Sequence, residues 1–485
     1  MVRYLPTIGL EIHAELKTAS KMFCDCPNDP AERHPNARVC PICLGHPGTL
    51  PTINKRAVEA VLKVGFALGG TVFRSGRTKF DRKNYFYPDL PKGYQISQYD
   101  EPLVEGGTLA GVAITRVHLE EDTGRLAHEG EASLVDFNRA GVPLMELVTE
   151  PVIKSAKEAT RFARELQLIL RYLGVSDADM EKGQMRVEAN VSVAEEGSAA
   201  LGTKVEVKNL NSFRAVEGAV AFEIARQGEL LALGKNVVQE TRGWNEAKGE
   251  TFSQRLKEKA HDYRYFPEPD LPPLMPEAFD LKALKLEIPE LPEAKRVRFA
   301  SEYGLPAADT ELLVQELPAA DFFEGAVSEL KADYPNAPVQ LLFNYLVSDL
   351  KGLMNETGTS FGELRLSAEN FADLIGLVAQ GKASSGTAKV FLRQMLETDV
   401  DPEQLLASEK LLQVSDSGEL AVIVREVLEA ETGAVADYKK GKSGALQFLI
   451  GRAMAKLNRR GNTEVLKQLF EESLMARGEN ETQVQ

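Results

Sequence analysis

The sequence predicts an α+β fold in which a β-rich part precedes a helical part. In the first part, short segments alternate apolar and polar residues and are punctuated by glycine, as in Thr115 to Leu119 and Met185 to Val193. This alternation is typical of half-buried strands. In the second part, apolar residues recur at three- and four-residue spacing, as in Val339 to Leu350 and Thr387 to Leu396, which indicates helices. A cluster of prolines separates the two patterns.

Length and proline content predict three domains. The 485 residues are about three times the usual domain length. Seven of the 24 prolines lie between Pro267 and Pro292, a density that the interiors of helices and strands tolerate poorly. A weaker change of composition follows between Asp399 and Gln413. We therefore expect a β-rich domain over residues 1–292, a helical domain over 293–405 and a small helical tail over 406–485.

The chain is acidic overall, and its pattern of apolar residues predicts neither a secretory leader nor a membrane span. The formal charge of −15 at pH 7 argues on average against a nucleic-acid binder. No apolar stretch approaches the roughly 20 residues that span a bilayer, and Met1 to Glu11 lacks the apolar core of a secretory leader. We expect a soluble, cytoplasmic protein without membrane contact.

The C-terminal tail departs from this acidic average. Between Val435 and Lys467, eight basic residues oppose two acidic ones, a local charge of +6. Such a helical face is either a solvated surface or a contact surface for a phosphate backbone. The candidate contacts are Lys439, Lys440, Lys442, Arg452, Lys456, Arg459 and Arg460.

All four cysteines lie within residues 24–43. They form two short pairs, Cys24 with Cys26 and Cys40 with Cys43. In a reducing compartment such a quartet favours tetrahedral zinc over disulfides. Four thiolates leave no open coordination position, so the zinc is expected to be structural. Isolated reduced thiols and a redox pair are the alternatives.

Two acidic segments predict a basin for a divalent metal. Gly9 to Leu16 alternates strictly, so a strand would bury its apolar residues and present Glu11 and His13 on the other face. In His118 to Asp122 the carboxylates are so dense that a cation or water must offset their repulsion, and hard oxygen ligands favour Mg²⁺. Later strands add Glu146, Glu188 and Glu206. A solvent-facing sheet edge is the alternative.

Another segment mixes basic and aromatic residues. Between Arg74 and Lys92, six basic residues oppose two acidic ones, and tyrosines are interleaved with them. Cations neutralise phosphates and rings stack on bases, so this loop suits a nucleotide or an unpaired RNA end. Lys208 follows on a later strand, on the same face as Glu206. An ordered surface loop is the alternative for both.

Taken in order along nearly the whole chain, these motifs resemble the B-type subunit of the aspartyl/glutamyl-tRNA amidotransferases. The basic helical tail resembles the C-terminal tail of that family. The segment from Arg82 to Gln98 is the longest and most specific shared string. The other shared segments are Gly9 to His13, Cys24 to Cys43, His118 to Asp122, Asp136 to Leu144, Val207 to Ser212 and Asp262 to Asp270.

The resemblance implies a cradle-shaped catalytic domain of α+β type, a helical domain and a helical tail that contacts tRNA. The implied substrates are tRNA(Gln) carrying Glu and tRNA(Asn) carrying Asp. With ATP and Mg²⁺ the side-chain carboxylate is phosphorylated, and ammonia then displaces the phosphate. The implied partners are the A-type subunit, an amidase that releases this ammonia from glutamine, the small C-type subunit, the misacylated tRNA and a non-discriminating aminoacyl-tRNA synthetase.

The resemblance also implies roles for single residues. The implied Mg²⁺ ligands are Glu11, His13, Glu121 and Glu146, with Glu120 as an alternate. Glu188 and Glu206 match acidic positions in the same basin. Glu188 stands where the family favours Asp, so its carboxylate reaches one methylene further. The implied contacts to the nucleotide or the tRNA acceptor end are Lys83, Tyr85, Tyr87, Lys92, Tyr94 and Lys208.

Two other classes of function compete with this hypothesis. A non-catalytic, zinc-containing tRNA scaffold would need the cysteines and the basic tail but not the acidic basin. A stand-alone glutaminase or amidase would need a nucleophile, and no serine–lysine or cysteine arrangement for one is visible.

Overall fold

The computed structural model describes residues 2–29, 32–256, 263–409, 417–442, 444–457 and 461–482. The chain divides into two compact units, Met1–Ala294 and Lys295–Gln485. The sheets lie in the first unit and the second is helical, which confirms the predicted α+β class. The three-domain division stays a prediction. Within the described ranges, no helix is long and apolar enough to cross a membrane.

The first unit contains fifteen strands among its described residues. They are β1 (Tyr4–Glu15), β2 (Thr71–Val72), β3 (Asp81–Asn84), β4 (Tyr94–Ser97), β5 (Val104–Glu105), β6 (Thr108–Leu109), β7 (Val112–Glu121), β8 (Arg125–Glu129), β9 (Ala132–Asp136), β10 (Pro143–Thr149), β11 (Met185–Glu195), β12 (Val205–Leu210), β13 (Glu240–Asn245), β14 (Glu250–Leu256) and β15 (Arg264–Pro267).

Helices follow at intervals in the first unit and dominate the second. They are α1 (Lys55–Ala67), α2 (Ala156–Tyr172), α3 (Phe213–Ala232), α4 (Leu281–Leu286), α5 (Pro292–Tyr303), α6 (Ala307–Val314), α7 (Leu317–Asp333), α8 (Val339–Asn344), α9 (Lys351–Thr357), α10 (Ala368–Ala379), α11 (Ser385–Thr398), α12 (Pro402–Glu409), α13 (Ser417–Ala430), α14 (Thr432–Lys439), α15 (Ala445–Lys456) and α16 (Thr463–Thr482).

One large sheet organises the first unit, with β1 near its centre. The strand order is β14-β13-β12-β11-β1-β10-β7-β5-β2, and β6 pairs with β7. Only the β12–β13 pair among these is parallel. Strands from distant parts of the sequence therefore lie side by side around β1.

The apolar face of this sheet packs against α1, α2 and α3. Leu10, Ile12 and Ala14 of β1 are fully buried in one hydrophobic core with residues of these three helices. Each helix begins at a residue whose side chain accepts a hydrogen bond from a backbone N–H of the first turn, the preferred way to satisfy these donors. These N-cap residues are Asn54, Ser155 and Ser212.

A small sheet of order β15-β3-β4 lies beside the polar side of β7. Its register pairs Tyr265 with Lys83 and Lys83 with Gln95. Ser97, at the end of β4, donates a hydrogen bond from Oγ to Glu120 Oε2 of β7 at 3.1 Å. One face of the small sheet is therefore directed at the polar face of the large one.

The second unit contains two hydrophobic clusters among its described residues. The first is built on Phe299 to Leu406 and the second on Leu420 to Leu474. Apolar residues at helical spacing fill both clusters, as the periodicity predicted. The second cluster includes buried residues of α15, the helix that carries Arg452 and Lys456.

Two glycines of α3 make a matched test of how tightly this helix packs on the sheet. A Cβ atom added at Gly218 would lie 2.8 Å from the Trp244 ring, whereas one added at Gly228 would meet nothing within 4 Å. We predict that Gly218→Ala destabilises the protein by about 1–3 kcal/mol through overpacking, while Gly228→Ala stabilises it by about 0.5–1 kcal/mol. Urea denaturation of both variants measures the change in the free energy of unfolding, which should have opposite signs in the two. Equal changes in this free energy would contradict the close packing at Gly218.

Candidate active site

The polar face of the large sheet brings ionisable residues from four strands into one row. In the register of β7, β10, β1 and β11, His118 pairs with Glu146, Glu146 with His13, and His13 with Arg186. Two residues earlier on β1, Glu11 lies opposite Glu188. Because side chains of directly paired residues share a face, the alternation seen in the sequence becomes a continuous polar surface.

His13, Glu120 and Glu146 form the first group of potential metal ligands. Their ligand atoms all lie within 4.8 Å of one another. His13 Nε2 is 3.4 Å from Glu146 Oε2 and 3.6 Å from Glu120 Oε1. Both carboxylates are buried. A histidine nitrogen with two carboxylates is a donor set that suits a divalent cation, so these residues fit the metal that the sequence predicted.

The pKa values in this group show that the surroundings favour positive charge. Burial alone would lower the pKa of His13, but the hydrogen bond and charge of Glu146 and the charge of Glu120 raise it to about 9. Burial opposes ionisation of Glu146, yet His118 and His13 hold its pKa well below its usual range. The two carboxylates therefore stabilise a proton on His13, and a bound metal ion would take the place of that proton.

Glu11, Glu188 and Glu206 form a second group, again with ligand atoms within 4.8 Å of one another. Asn190 donates to Glu11 Oε1 at 2.8 Å. Lys208 Nζ lies 2.7 Å from Glu188 and 3.4 Å from Glu206. Burial raises the pKa of Glu11, and the charges of Glu146 and Glu188 raise it further. The influence of Glu146 on Glu11 indicates that the two groups are electrostatically linked.

The structure does not bring Glu121 to either group, although it was expected among the Mg²⁺ ligands. Glu121 Oε2 lies 2.5 Å from Lys92 Nζ, and its Oε1 accepts a hydrogen bond from the backbone of Ile96 at 2.9 Å. Successive side chains of a strand point to opposite faces, so Glu120 and Glu121 cannot both face His13. Glu120, the alternate in the prediction, is the one that lies beside His13.

The predicted basic and aromatic residues divide between the two sides of the small sheet. Lys83 is on the side of the acidic groups, with Nζ 3.8 Å from Glu120 Oε2. Tyr85 is on the same side and donates to Gln95 Oε1 at 3.2 Å. Tyr94 lies on the other side, under the Arg82 guanidinium at 4.4 Å. Lys92 is bound to Glu121, as described above, and Tyr87 is exposed.

Sequence reasoning missed several residues that line the acidic groups. His118 contacts Glu146 Oε2 at 3.3 Å, and the Lys83 ammonium lies 4.8 Å from the centre of the Tyr263 ring. Asn190 stands two residues after Glu188, so strand alternation could have placed it on the same face. Tyr263 carried no such signal, because its position depends on the pairing of β15 with β3.

The four cysteines come together, as predicted from their spacing. Their sulfur atoms lie within 4.8 Å of one another, and Cys40 Sγ and Cys43 Sγ are 3.9 Å apart. A tetrahedral site with Zn–S bonds of about 2.3 Å requires sulfur separations of about 3.8 Å. The Cys40 backbone N–H donates to Cys43 Sγ at 3.1 Å. The donor set and its dimensions therefore fit zinc.

A buried lysine lies against this cysteine cluster. Lys21 Nζ is 3.9 Å from Cys43 Sγ and donates to the carbonyl oxygens of Arg38 and Ala140, each at 2.7 Å. A hydrogen bond from Cys24, a backbone hydrogen bond and the charge of Lys21 lower the pKa of Cys43 to about 4. The ammonium therefore offsets thiolate charge and ties the cysteine loop to the segment before β10.

The basic residues of the tail are exposed but partly paired. Lys442 lies 2.9 Å from Asp437, Arg452 2.7 Å from Glu431, and Lys456 2.7 Å from Glu426. Lys439 and Lys440 are also exposed. Arg459 and Arg460 lie outside the described residues. Neighbouring carboxylates thus offset part of the local positive charge that the sequence suggested.

Two family models match the chain and identify the class of its domains. Residues 6–279 match the model described as the GatB/GatE catalytic domain, and residues 321–474 match the one described as the GatB domain. The first match spans the large sheet and both acidic groups. The N-terminal unit is thus a catalytic domain of the GatB/GatE class.

Individual relatives narrow this class to one family. The chain is 46% identical over 483 residues to a protein of Caldanaerobacter subterraneus subsp. tengcongensis, covering 98% of this chain and 100% of that one. It is 48% identical to one of Thermomicrobium roseum (96% and 98% covered) and 43% identical to one of Myxococcus xanthus (97% and 98% covered). All three bear the name of the B-type subunit of aspartyl/glutamyl-tRNA(Asn/Gln) amidotransferase. The chain belongs to this family, which confirms the resemblance found in the sequence.

Replacing Glu120 and Glu121 separately distinguishes the two possible ligand sets. We predict that Glu120→Gln lowers the affinity for Mn²⁺, a probe for Mg²⁺, by about tenfold or more because it removes a ligand charge. Glu121→Gln, whose carboxylate contacts Lys92 instead, should keep the affinity within about twofold. Titration of each full-length variant with Mn²⁺ measures its affinity for the ion. A greater loss of affinity in Glu121→Gln than in Glu120→Gln would contradict this geometry.

Lys21 offers a separate test of the cysteine cluster. We predict that Lys21→Met lowers its affinity for Zn²⁺ by about tenfold or more, as expected for loss of a group that supports metal ligands. Competition with a chelator measures this, and circular dichroism checks the fold. Lys17→Met is the matched control, since Lys17 is exposed and contacts Asp177. Equal zinc affinity in both variants would contradict the role of Lys21.

Proposed function

We propose that this chain is the tRNA-binding and phosphoryl-transferring component of a glutamine-dependent tRNA amidotransferase. It would convert Glu-tRNA(Gln), Asp-tRNA(Asn) or both to the amidated forms. The observation that carries the proposal is the pair of acidic groups beside Lys83 and Lys208, on the polar face of the domain that matches a catalytic family model.

The chemistry explains why such a site needs both anions and cations. A carboxylate is a poor electrophile because its leaving group would be oxide. Attack of a side-chain carboxylate oxygen on the γ-phosphorus of ATP forms an acyl phosphate and releases ADP. Ammonia then attacks the carbonyl carbon, and phosphate leaves with the carboxylate oxygen that it gained. Most of the catalytic work in phosphoryl transfer is positioning and charge stabilisation.

The residues present fit these tasks. His13, Glu120 and Glu146 would hold one Mg²⁺, and the group of Glu11, Glu188 and Glu206 offers a second oxygen-rich position. When bound, Mg²⁺ offsets the negative charge of ATP oxygens. Lys83 and Lys208 carry donors that can bind phosphate oxygens. The glutamate at position 188 is held by Lys208, so its extra methylene over aspartate is accommodated within an ion pair.

Other parts of the chain would serve binding and assembly. The cysteine cluster would hold a structural Zn²⁺, because four thiolates leave no position for substrate. The tail would contact tRNA phosphates through its exposed basic residues. Partners proposed from the family are the A-type amidase, the small C-type subunit, the misacylated tRNA and a non-discriminating aminoacyl-tRNA synthetase. The ammonia would come from glutamine hydrolysed by the amidase.

A non-catalytic tRNA scaffold is less well supported. It would have no use for buried carboxylates gathered around a histidine, since unneutralised buried charge is costly. ADP formation that depends on misacylated tRNA would exclude the scaffold.

Replacing His13 in the complex assembled with its partners tests the proposal. We predict that His13→Ala lowers ATP- and Mg²⁺-dependent amide formation by about a hundredfold or more, as expected for a lost metal ligand. The matched control is His128→Ala, because the His128 side chain is exposed on β8 and forms a hydrogen bond with Ser133 Oγ, away from the acidic groups. Undiminished amidation by a folded His13→Ala complex would contradict the proposed site.

A further inference from the structure

Exposed aromatic side chains concentrate on one small part of the molecule. Seven phenylalanines and tyrosines are exposed among the described residues, and five of them lie on or next to the small sheet β15-β3-β4. The five are Phe86, Tyr87, Tyr99, Tyr263 and Phe266. Scattered exposure would be ordinary, but clustering of this kind marks a binding surface.

Four tyrosines form a connected row on the side of this sheet that faces the acidic groups. Tyr99 stacks on Tyr265 with ring centres 4.2 Å apart and planes at 11°. Tyr263 meets Tyr265 edge to face at 6.5 Å and Tyr85 edge to face at 5.5 Å. Tyr263 and Tyr265 share a face because they are two residues apart along the strand direction. The row therefore extends from Tyr99 to Tyr85.

Lys83 connects the row to the site of phosphoryl transfer. Its ammonium lies 4.8 Å from the centre of the Tyr263 ring and 3.8 Å from Glu120. Burial raises the pKa of Tyr265 to about 12, and the nearby charges of Glu146 and Glu120 act in the same direction. Tyr265 is therefore neutral at physiological pH. Only the Lys83 side chain separates Tyr263 from Glu120, one of the proposed metal ligands.

Tyr263 combines exposure with a direct contact to Lys83. The residue is 50% exposed even though Lys83, Tyr85 and Tyr265 surround it. A flat aromatic ligand stacked on its ring would be positioned so that a phosphate or ester attached to it reaches Lys83 and the acidic groups. Both substrates of the proposed reaction carry such a group, since ATP contains adenosine and tRNA ends in adenosine.

We propose that Tyr263, supported by Tyr85 and Tyr265, is the stacking platform for an adenosine that enters the acidic site. This inference rests on the proposed function and assigns a binding site for the base. Stacking suits the role because every base presents a π-face to an aromatic ring. The neighbouring Lys83 ammonium adds a contact for the charged part of the same molecule.

Binding of ligands with and without the adenine base tests the platform and shows which substrate supplies the adenosine. We expect Tyr263→Ala in the assembled complex to weaken binding by about 5- to 100-fold, the equivalent of one base–aromatic stack. If the adenosine is that of ATP, ATP binding falls while binding of inorganic triphosphate is unchanged. If it is the terminal nucleotide of tRNA, binding of tRNA ending in CCA falls to that of tRNA ending in CC.

Controls separate the ring from the fold and from the proposed function. Tyr263→Phe keeps the ring and should bind within about twofold of the wild type. Phe252→Ala removes another exposed ring, on the edge strand β14, and should change neither affinity. Wild-type binding of both ATP and CCA-ending tRNA by the assembled Tyr263→Ala complex would overturn the inference alone. A wild-type complex that forms no amide would overturn the proposed function as well.

Discussion

The register of β1 between β10 and β11 is the constraint on which the site depends. It places His13 opposite Glu146 and Glu11 opposite Glu188, while Leu10, Ile12 and Ala14 enter the core. Because the side-chain period of a strand is two, a slip of one residue would bury the acids and expose the core residues. The hydrophobic core and the polar site are therefore fixed by the same pairing.

Gathering so many anions requires fixed cations, and the structure places a lysine at each cluster. Lys83 lies beside Glu120, Lys208 beside Glu188 and Glu206, and Lys21 beside Cys43. Lys21 is fully buried, and Lys83 and Lys208 are partly buried. Their charges are therefore less screened than those of surface lysines and act more strongly on the anions next to them. The net charge of −15 conceals this arrangement, because it averages over groups that the fold brings into specific pairs.

The sequence predicted features set by neighbouring residues better than contacts that depend on the pairing of distant strands. Alternation in Gly9 to Leu16 identified the face of β1, and the cysteine spacing identified a quartet that the structure brings together. The Arg82 to Gln98 segment carried the resemblance, and the family is confirmed. Glu121 was predicted as a Mg²⁺ ligand with Glu120 as the alternate, and it is Glu120 that lies beside His13. Which of the two faces His13 depends on the face of β7 that meets β10, and the ligand set stays a prediction. Asn190 was missed although the alternation of β11 places it on the face of Glu188. Tyr263 was missed because the pairing of β15 with β3, and not a local pattern, brings it to the acids.

We propose that the acidic site transfers a phosphoryl group to the side-chain carboxylate and that ammonia then displaces the phosphate. The most direct measurement uses misacylated tRNA whose side-chain carboxylate is labelled with ¹⁸O at both oxygens, and follows the label by mass spectrometry in the complete complex. We predict that the inorganic phosphate released with each amide carries a single ¹⁸O atom, because the displaced phosphate retains the carboxylate oxygen. Amide formation with unlabelled phosphate would contradict it.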